Sequence, residues 1–209
     1  MNNLSRLIYV FGIDGSGKTT LVKNLETYLS KKQDVISVPS SKISIFTNEL
    51  EVVASKMSQT RRQCFSPLIR GTAWGLDLLY KANEIIEPNL TEGKTVILDR
   101  YNICNLVFSQ LNGVDISLLK KVHASLVKPD IYLYLKIDTK IAWERILKRG
   151  EPLTPKEYPD QLSKAVELYE YYILKEKIPV NFINANLSEE EILAQAIEIL
   201  EKDLSVISS

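Results

Sequence analysis

Gly12-Ile13-Asp14-Gly15-Ser16-Gly17-Lys18-Thr19 matches the pattern G-x-x-x-x-G-K-[ST] in full, and each residue type in it has a physical reason. The glycines let backbone N–H groups converge on phosphate oxygens with no side chain in the way. The start of the following helix adds partial positive charge. Lys18 supplies a mobile cation for β- and γ-phosphates, and the Thr19 hydroxyl is a ligand for Mg²⁺. The flanks agree. Leu7–Phe11, short and rich in branched and aromatic residues, reads as a strand feeding the loop. Leu21, Val22, Leu25, Tyr28 and Leu29 recur behind it at helical spacing. The stretch predicts that the chain binds a nucleoside triphosphate.

Working outward, Val35–Val38, Thr95–Leu98, Ile131–Leu135 and Val180–Ile183 read as further strands. Helical patterns lie between them. The last, Ile192, Leu193, Ala196, Ile197 and Leu200, opens at Ser188 with Glu191 at capping-box spacing. Strands alternating with helices require crossover connections, and hence a mostly parallel sheet covered on both faces. The fold class is α/β. The segment from Arg149 to Pro159 breaks the pattern with three prolines and little apolar periodicity. It reads as a surface flap between two helices or as an ordinary exposed loop. Thr154, Pro155 and Glu157 could open a short helix there as cap, first-turn proline and capping-box acid.

Composition limits the function. The 209 residues and 23.8 kDa suit one globular domain, or one with a small insert. Lys plus Arg and Asp plus Glu are 26 each, a formal net charge of zero. Broad capture of nucleic acid or an anionic membrane is therefore not expected, and any anion must be bound by a few aimed groups. No apolar run approaches the roughly 18 residues of a membrane span, and the start of the chain lacks the features of a secretory signal. Cys64 and Cys104 lack metal-like spacing and read as reduced, space-filling thiols of a cytoplasmic protein. His123 is the only histidine, which excludes His-rich zinc sites and His-based nucleophile triads.

The loop alone leaves kinase, GTPase and motor ATPase open. No guanine-reading N-K-x-D occurs in the chain. The strand at Thr95–Leu98 runs into Asp99-Arg100-Tyr101, and an acid at that strand end is where a second Mg²⁺-binding group belongs. Mechanical ATPases usually follow this acid with a Glu that polarises water. Arg100 cannot act as a base but can hold a second phosphate, so the site favours an acceptor anion over water.

Over Leu7 to Leu204 the chain resembles the thymidylate kinase family of nucleoside monophosphate kinases. The resemblance rests on Phe11-Gly12 to Thr19-Thr20, on the run from Ile86-Glu87-Pro88 through Gly93 to Asp99-Arg100-Tyr101, on Lys128-Pro129-Asp130-Ile131-Tyr132-Leu133-Tyr134-Leu135, on Trp143-Glu144-Arg145-Ile146, and on Ile183-Asn184-Ala185-Asn186. It implies a P-loop NTPase fold with five parallel strands flanked by helices, and a mobile lid at about residues 148–160. It also implies a homodimer and Mg²⁺-dependent transfer of the ATP γ-phosphoryl group to a small acceptor, dTMP giving dTDP, with no nucleic-acid or membrane partner. By the same resemblance Gly12, Ile13, Asp14, Gly15, Ser16, Gly17, Lys18, Thr19 and Thr20 hold the triphosphate, with Mg²⁺ at Thr19 and Asp99. Arg145 and the turn Asn184, Ala185, Asn186 line the adenine. Asp14 sits near the acceptor sugar hydroxyl and Arg100 clamps the acceptor phosphate. Trp74 stacks on the base and Asn105 reaches its edge. The loop carries no arginine, so the lid must supply the catalytic charge, with Arg149 the candidate beside Lys148 and Arg145.

Other readings stay open. Trp74 also fits plain packing among Ala73, Leu76, Leu79 and Tyr80, and Tyr169, Tyr171 and Tyr172 read as packing beside the lid. The sequence departs from the family on the acceptor side. An arginine expected after the second strand is absent from Val38-Pro39-Ser40-Ser41-Lys42, the base-reading arginine is Leu78, and Cys104 takes a usual serine position. Each lost charged hydrogen bond costs roughly 1.5–3 kcal/mol, about ten- to a hundredfold in an equilibrium. Lys42 and Arg70 are the candidate substitutes. Two alternatives follow: a kinase on the same scaffold acting on a modified nucleotide or a nucleoside, and a catalytically inactive ATP-binding regulatory protein.

Overall fold

Every residue of Leu7–Phe11 is buried, as the central strand of a sheet covered on both faces requires. The computed structural model describes residues 5–39 and 44–207. Its sheet has five strands: β1 (Leu7–Phe11), β2 (Val35–Pro39), β3 (Thr95–Asp99), β4 (Ile131–Lys136) and β5 (Val180–Asn184). Their order is β2-β3-β1-β4-β5 and all pairs are parallel. Each of β2 to β5 runs one residue past the apolar stretch that marks it in the sequence. The extra residues are Pro39, Asp99, Lys136 and Asn184; three are polar and the fourth is proline, so hydrophobic patterning omits them.

The helices are α1 (Lys18–Leu29), α2 (Ile45–Lys56), α3 (Arg61–Cys64), α4 (Pro67–Lys81), α5 (Glu87–Thr91), α6 (Asn102–Leu111), α7 (Ser117–His123), α8 (Thr139–Arg149), α9 (Pro159–Lys175) and α10 (Glu189–Ile207). The stripe on α1 faces inward as its spacing requires, with Leu21, Val22, Leu25 and Leu29 buried. At the start of α10, Ser188 and Glu191 exchange backbone-to-side-chain hydrogen bonds of 3.0 and 3.3 Å, a complete capping box. A π-helical turn at Ala82–Ile86 joins α4 to α5. It lies just ahead of Pro88, whose missing N–H and ring bulk break the regular ladder.

Two features place the site. The register sets Val10 opposite Asp99 and Phe11 opposite Tyr134, so the glycine loop after Phe11 emerges beside the carboxyl end of β3, where open parallel sheets bind ligands. Beneath it Phe11, Tyr134 and Tyr169 pack ring on ring at 5.1–5.9 Å, and each buried ring contributes about 1.5–3 kcal/mol by leaving water. Tyr169 and Tyr172 are core residues, whereas Tyr171 is exposed. On the other flank the buried Asp77 carboxylate of α4 accepts the N–H groups of Phe46 (2.8 Å) and Thr47 (3.1 Å). A cap supplied by another helix thereby fixes α2 against α4. Among the described residues no helix is long and apolar enough to cross a membrane.

Candidate active site

The loop closes tightly. Gly12 and Gly15 have φ of 147° and 80°, where a side chain is strained. A Cβ on Gly15 would also collide with the Ala142 carbonyl of α8. Lys18 is buried, and its ammonium folds back to donate to the Ile13 carbonyl at 2.6 Å and to Ser16 Oγ at 3.4 Å. Burial, followed by repulsion from Arg100, lowers its pKa to about 8. Thr20 follows, half-buried on α1.

Thr19 Oγ1 donates to Asp99 Oδ2 at 2.7 Å. The other oxygen, Asp99 Oδ1, is buried with no hydrogen-bond partner among the described residues. A hydroxyl and an open carboxylate oxygen are hard donors suited to Mg²⁺, which takes one or two carboxylates and fills its remaining positions with substrate phosphates and water. No group of three or more His, Cys, Asp or Glu that could cage a metal exists among the described residues.

Arg100 adopts φ 68°, a left-handed backbone that costs roughly 1–3 kcal/mol in a non-glycine residue. The twist turns its guanidinium back onto the Asp14 carboxylate. Lys156 reaches the same carboxylate from the flap, Nζ to Oδ2 at 2.9 Å. Both cations lie over the Phe108 ring, at 5.3 Å for Arg100 and 4.9 Å for Lys156. Burial works to raise the Asp14 carboxyl pKa, but Arg100, Lys156 and Lys18 overcome it and hold the group well below the usual carboxylate range. Lys156 is lowered by burial and by Arg100, with Asp14 opposing. Lys18, Arg100 and Lys156 outnumber Asp14 and Asp99, so the centre carries excess positive charge.

The flap is ordered by its own turn. Thr154 donates to Glu157 Oε2 from its backbone N–H (2.7 Å) and its hydroxyl (2.5 Å), around a 3-10 turn at Pro155–Glu157. The capping-box reading of Thr154, Pro155 and Glu157 matches that geometry. Arg149 is placed otherwise than the sequence suggests. Its guanidinium is bound to Glu157 Oε1 at 2.5 Å and to Glu151 Oε2 at 2.7 Å, so two glutamates neutralise it and it braces the turn. The flap cation beside the phosphate loop is Lys156. The turn that holds it, closed by Thr154 and Glu157, was visible in the sequence, but its reach to Asp14 was not.

Beside this centre lies a cavity of about 720 Å³ whose walls include Arg70, Trp74, Arg100, Phe108 and Lys156. Trp74 is half-buried and stacks near Phe108, with centroids 6.2 Å apart. Arg70 donates to the carbonyls of Phe65 (2.7 Å) and Arg62 (3.3 Å). Asn105 does not reach this cavity. It is sealed beneath α4, its amide donating to the Gly71 carbonyl at 3.1 Å. Leu78 is buried in the core, and Lys42 lies outside the described residues. Cys104 is buried, its sulfur accepting from the hydroxyls of both Tyr9 and Tyr169 at 3.2 Å. Both cysteines are free thiols.

On the far side of the loop, Arg145 donates to the carbonyls of Ala185 (2.9 Å) and Leu187 (3.2 Å). Asn186 Oδ1 accepts the Asp138 N–H at 2.9 Å, and Asn184 Oδ1 accepts the Asn186 N–H at 3.1 Å. The turn from Asn184 to Asn186 is thus held rigidly against α8.

The sequence profile of the thymidylate kinase family matches residues 10–197. Over 159 residues the chain is 31% identical to a probable thymidylate kinase of Archaeoglobus fulgidus, covering 76% of this chain and 77% of that protein. Probable thymidylate kinase 1 of Saccharolobus solfataricus is 29% identical over 211 residues, covering 96% of this chain and all of the relative. A thymidylate kinase of Xylella fastidiosa is 26% identical, covering 96% of this chain and 92% of its own. A match spanning the loop, β3, the flap and β5 reaches every part of the site just described. The chain belongs to the thymidylate kinase family and is a phosphotransferase.

Proposed function

We propose that the protein transfers the γ-phosphoryl group of ATP, with Mg²⁺, to a deoxynucleoside monophosphate, dTMP giving dTDP. The observation that carries this reading is the pair of contacts made from one loop: Thr19 with Asp99, and Asp14 with both Arg100 and Lys156.

Phosphoryl transfer needs positioning and charge neutralisation rather than covalent help. Lys18 and the loop amides hold the donor phosphates, while Arg145 and the Asn184–Asn186 turn flank the adenine. Thr19 and Asp99 would hold Mg²⁺, which would supply positive charge to the triphosphate oxygens. Arg100 aligns the acceptor phosphate, Asp14 receives the sugar hydroxyl, and Trp74 with Phe108 forms the apolar wall. Lys156 supplies the flap's charge, and Arg149 acts through Glu157 as a positioning residue. The flap, within a lid of about residues 148–160 on a single kinase domain, excludes water during transfer.

Two copies associate in this reading. Its support is a set of exposed apolar residues on α2 and α4, Phe46, Val53, Leu68 and Ile69, with Met57 at the end of α2. The free thiols suit the cytoplasm. A second reading keeps the reaction and changes the acceptor; the burial of Leu78, which leaves no arginine at that place, favours it.

A coupled assay of ADP release across nucleoside monophosphates and nucleosides separates them. The expected result is turnover of dTMP, abolished by Lys18→Ala in a protein that keeps its circular dichroism. Preferred use of another acceptor establishes the second reading. Release of no ADP with any acceptor, or near-normal turnover by Lys18→Ala, overturns both.

A further inference from the structure

The acceptor cavity has two cationic ends. At the loop end, Arg100 and Lys156 share Asp14. The outer end is walled by Arg61, Arg62 and Arg70, and it is not neutralised in the same way. Arg61 has Glu51 at 3.7 Å. Among the described residues, neither Arg62 nor Arg70 has a carboxylate within 4 Å. Asp160, the acid on the cavity wall, is bonded to Gln161 at 2.8 Å and lies 3.9 Å from Lys164. Arg70 is held in place by the carbonyls of Phe65 and Arg62, so its remaining N–H groups are preorganised. Burial, and then the charges of Arg62 and Arg61, disfavour its protonated form. A chain of zero net charge thus keeps two guanidinium groups, Arg62 and Arg70, without a carboxylate partner among the described residues at this place.

The packing of α4 on α6 gives the spacing. Gly75 faces Asn105 and Gly71 faces Ser109, so Arg70 stands level with the last turn of α6, whereas Arg100 stands just before its first. At 1.5 Å of rise per residue the two backbone positions stand about 15 Å apart along the helix, with a guanidinium lining the cavity from each. Trp74 lies between them, one turn from Arg70 and on the same side of α4. One turn beyond Trp74 in the other direction, Leu78 is buried and offers no polar atom. Polar contact with a ring lying on Trp74 therefore falls to the Arg70 side.

We propose that Arg62 and Arg70 form an anion subsite for a carboxylate carried on the base of the acceptor, so that the enzyme takes a nucleoside monophosphate with a second negative group on its base. This rests on the acceptor assignment made above. A guanidinium pair matches carboxylate oxygens in geometry as well as charge.

The test is calorimetric binding to the full chain of 5-carboxy-2′-deoxyuridine 5′-monophosphate and its uncharged 5-carboxamide, which has nearly the same shape. The carboxylate is expected to bind at least tenfold tighter at low salt. The ratio should fall to near one in Arg62→Gln/Arg70→Gln. Arg62→Gln alone, at a side chain that is exposed and makes no ion pair among the described residues, should lower it at least threefold. Equal binding of the two ligands by the unaltered protein overturns the subsite, as does a ratio that survives the double substitution. Binding is read without transfer, so the two proposals fail separately. If dTMP is phosphorylated and the ratio is one, the subsite falls alone; if the ratio holds and no acceptor is phosphorylated, the kinase reading falls.

Discussion

Lys18 and Lys156 show how far single residues could be read. Lys18 was legible because a local pattern fixes its partners: the loop that needs the lysine also buries it. Lys156 was not, because its partner Asp14 is remote in sequence and only the flap's fold brings them within 2.9 Å. The same applies in reverse to Arg149 and Asn105. Their types suit a phosphate and a base edge, but nearer partners, two glutamates and a buried carbonyl, take them first. Burial gives Lys18 a testable signature. In the folded, ligand-free protein its pKa is about 8, and only its charged form attracts phosphate. ATP affinity should therefore weaken as pH rises through 8, approaching about tenfold per pH unit by pH 9.5. Titration calorimetry from pH 7 to 9.5 measures this; a flat profile contradicts the role given to the ammonium.

Among the elements, strands and long helices were legible and the flap only in part. Hydrophobic period marks β1 to β5 to within a residue: β1, β3 and β4 are largely buried between helices, and the half-buried edge strands β2 and β5 still carry branched and aromatic residues. The flap has no such stripe. Its order comes from Thr154 and Arg149 converging on Glu157, which is only 3% exposed. The box was visible in the sequence, but what it aims was not. Glu157→Ala should release the turn and leave Lys156 unaimed. The expected result is a fall in kcat of about ten- to a hundredfold, the scale of a misplaced catalytic group, with ATP binding unchanged because the loop is untouched. Steady-state kinetics beside calorimetry on the same variant checks it; unchanged kcat shows that the flap plays no part in the reaction.

Across the whole molecule, strand order is what unites the site. Placing β1 between β3 and β4 sets the loop beside Asp99, and no local pattern states that order; it follows from alternating strands and helices only once handed crossovers are assumed. The core also sets an acid limit. His123 is buried with both ring nitrogens unpartnered among the described residues, and burial lowers its pKa to about 4, against about 6.5 in an unfolded chain. Between these values the unfolded chain holds a proton that the folded one lacks. Its contribution is fully present above about pH 6.5 and is lost as pH falls, by about 1.4 kcal/mol per unit. Asp14, held below the ordinary carboxylate range, loses its contribution at lower pH. Urea unfolding at pH 7 and 4.5 should show a drop about 2–3 kcal/mol larger in the natural protein than in His123→Leu. Equal drops would show that His123 is solvated.

The central claim is that Asp99, set beside the glycine loop by sheet order, completes a site for a metal-bound triphosphate. Calorimetric titration of ATP with and without Mg²⁺, on the natural protein and on Asp99→Asn, addresses it directly. The expected result is binding that strengthens at least about tenfold with Mg²⁺ in the natural protein and loses that gain in Asp99→Asn, the scale of one charged contact. Equal affinity with and without the metal, or an undiminished gain in Asp99→Asn, would contradict the account.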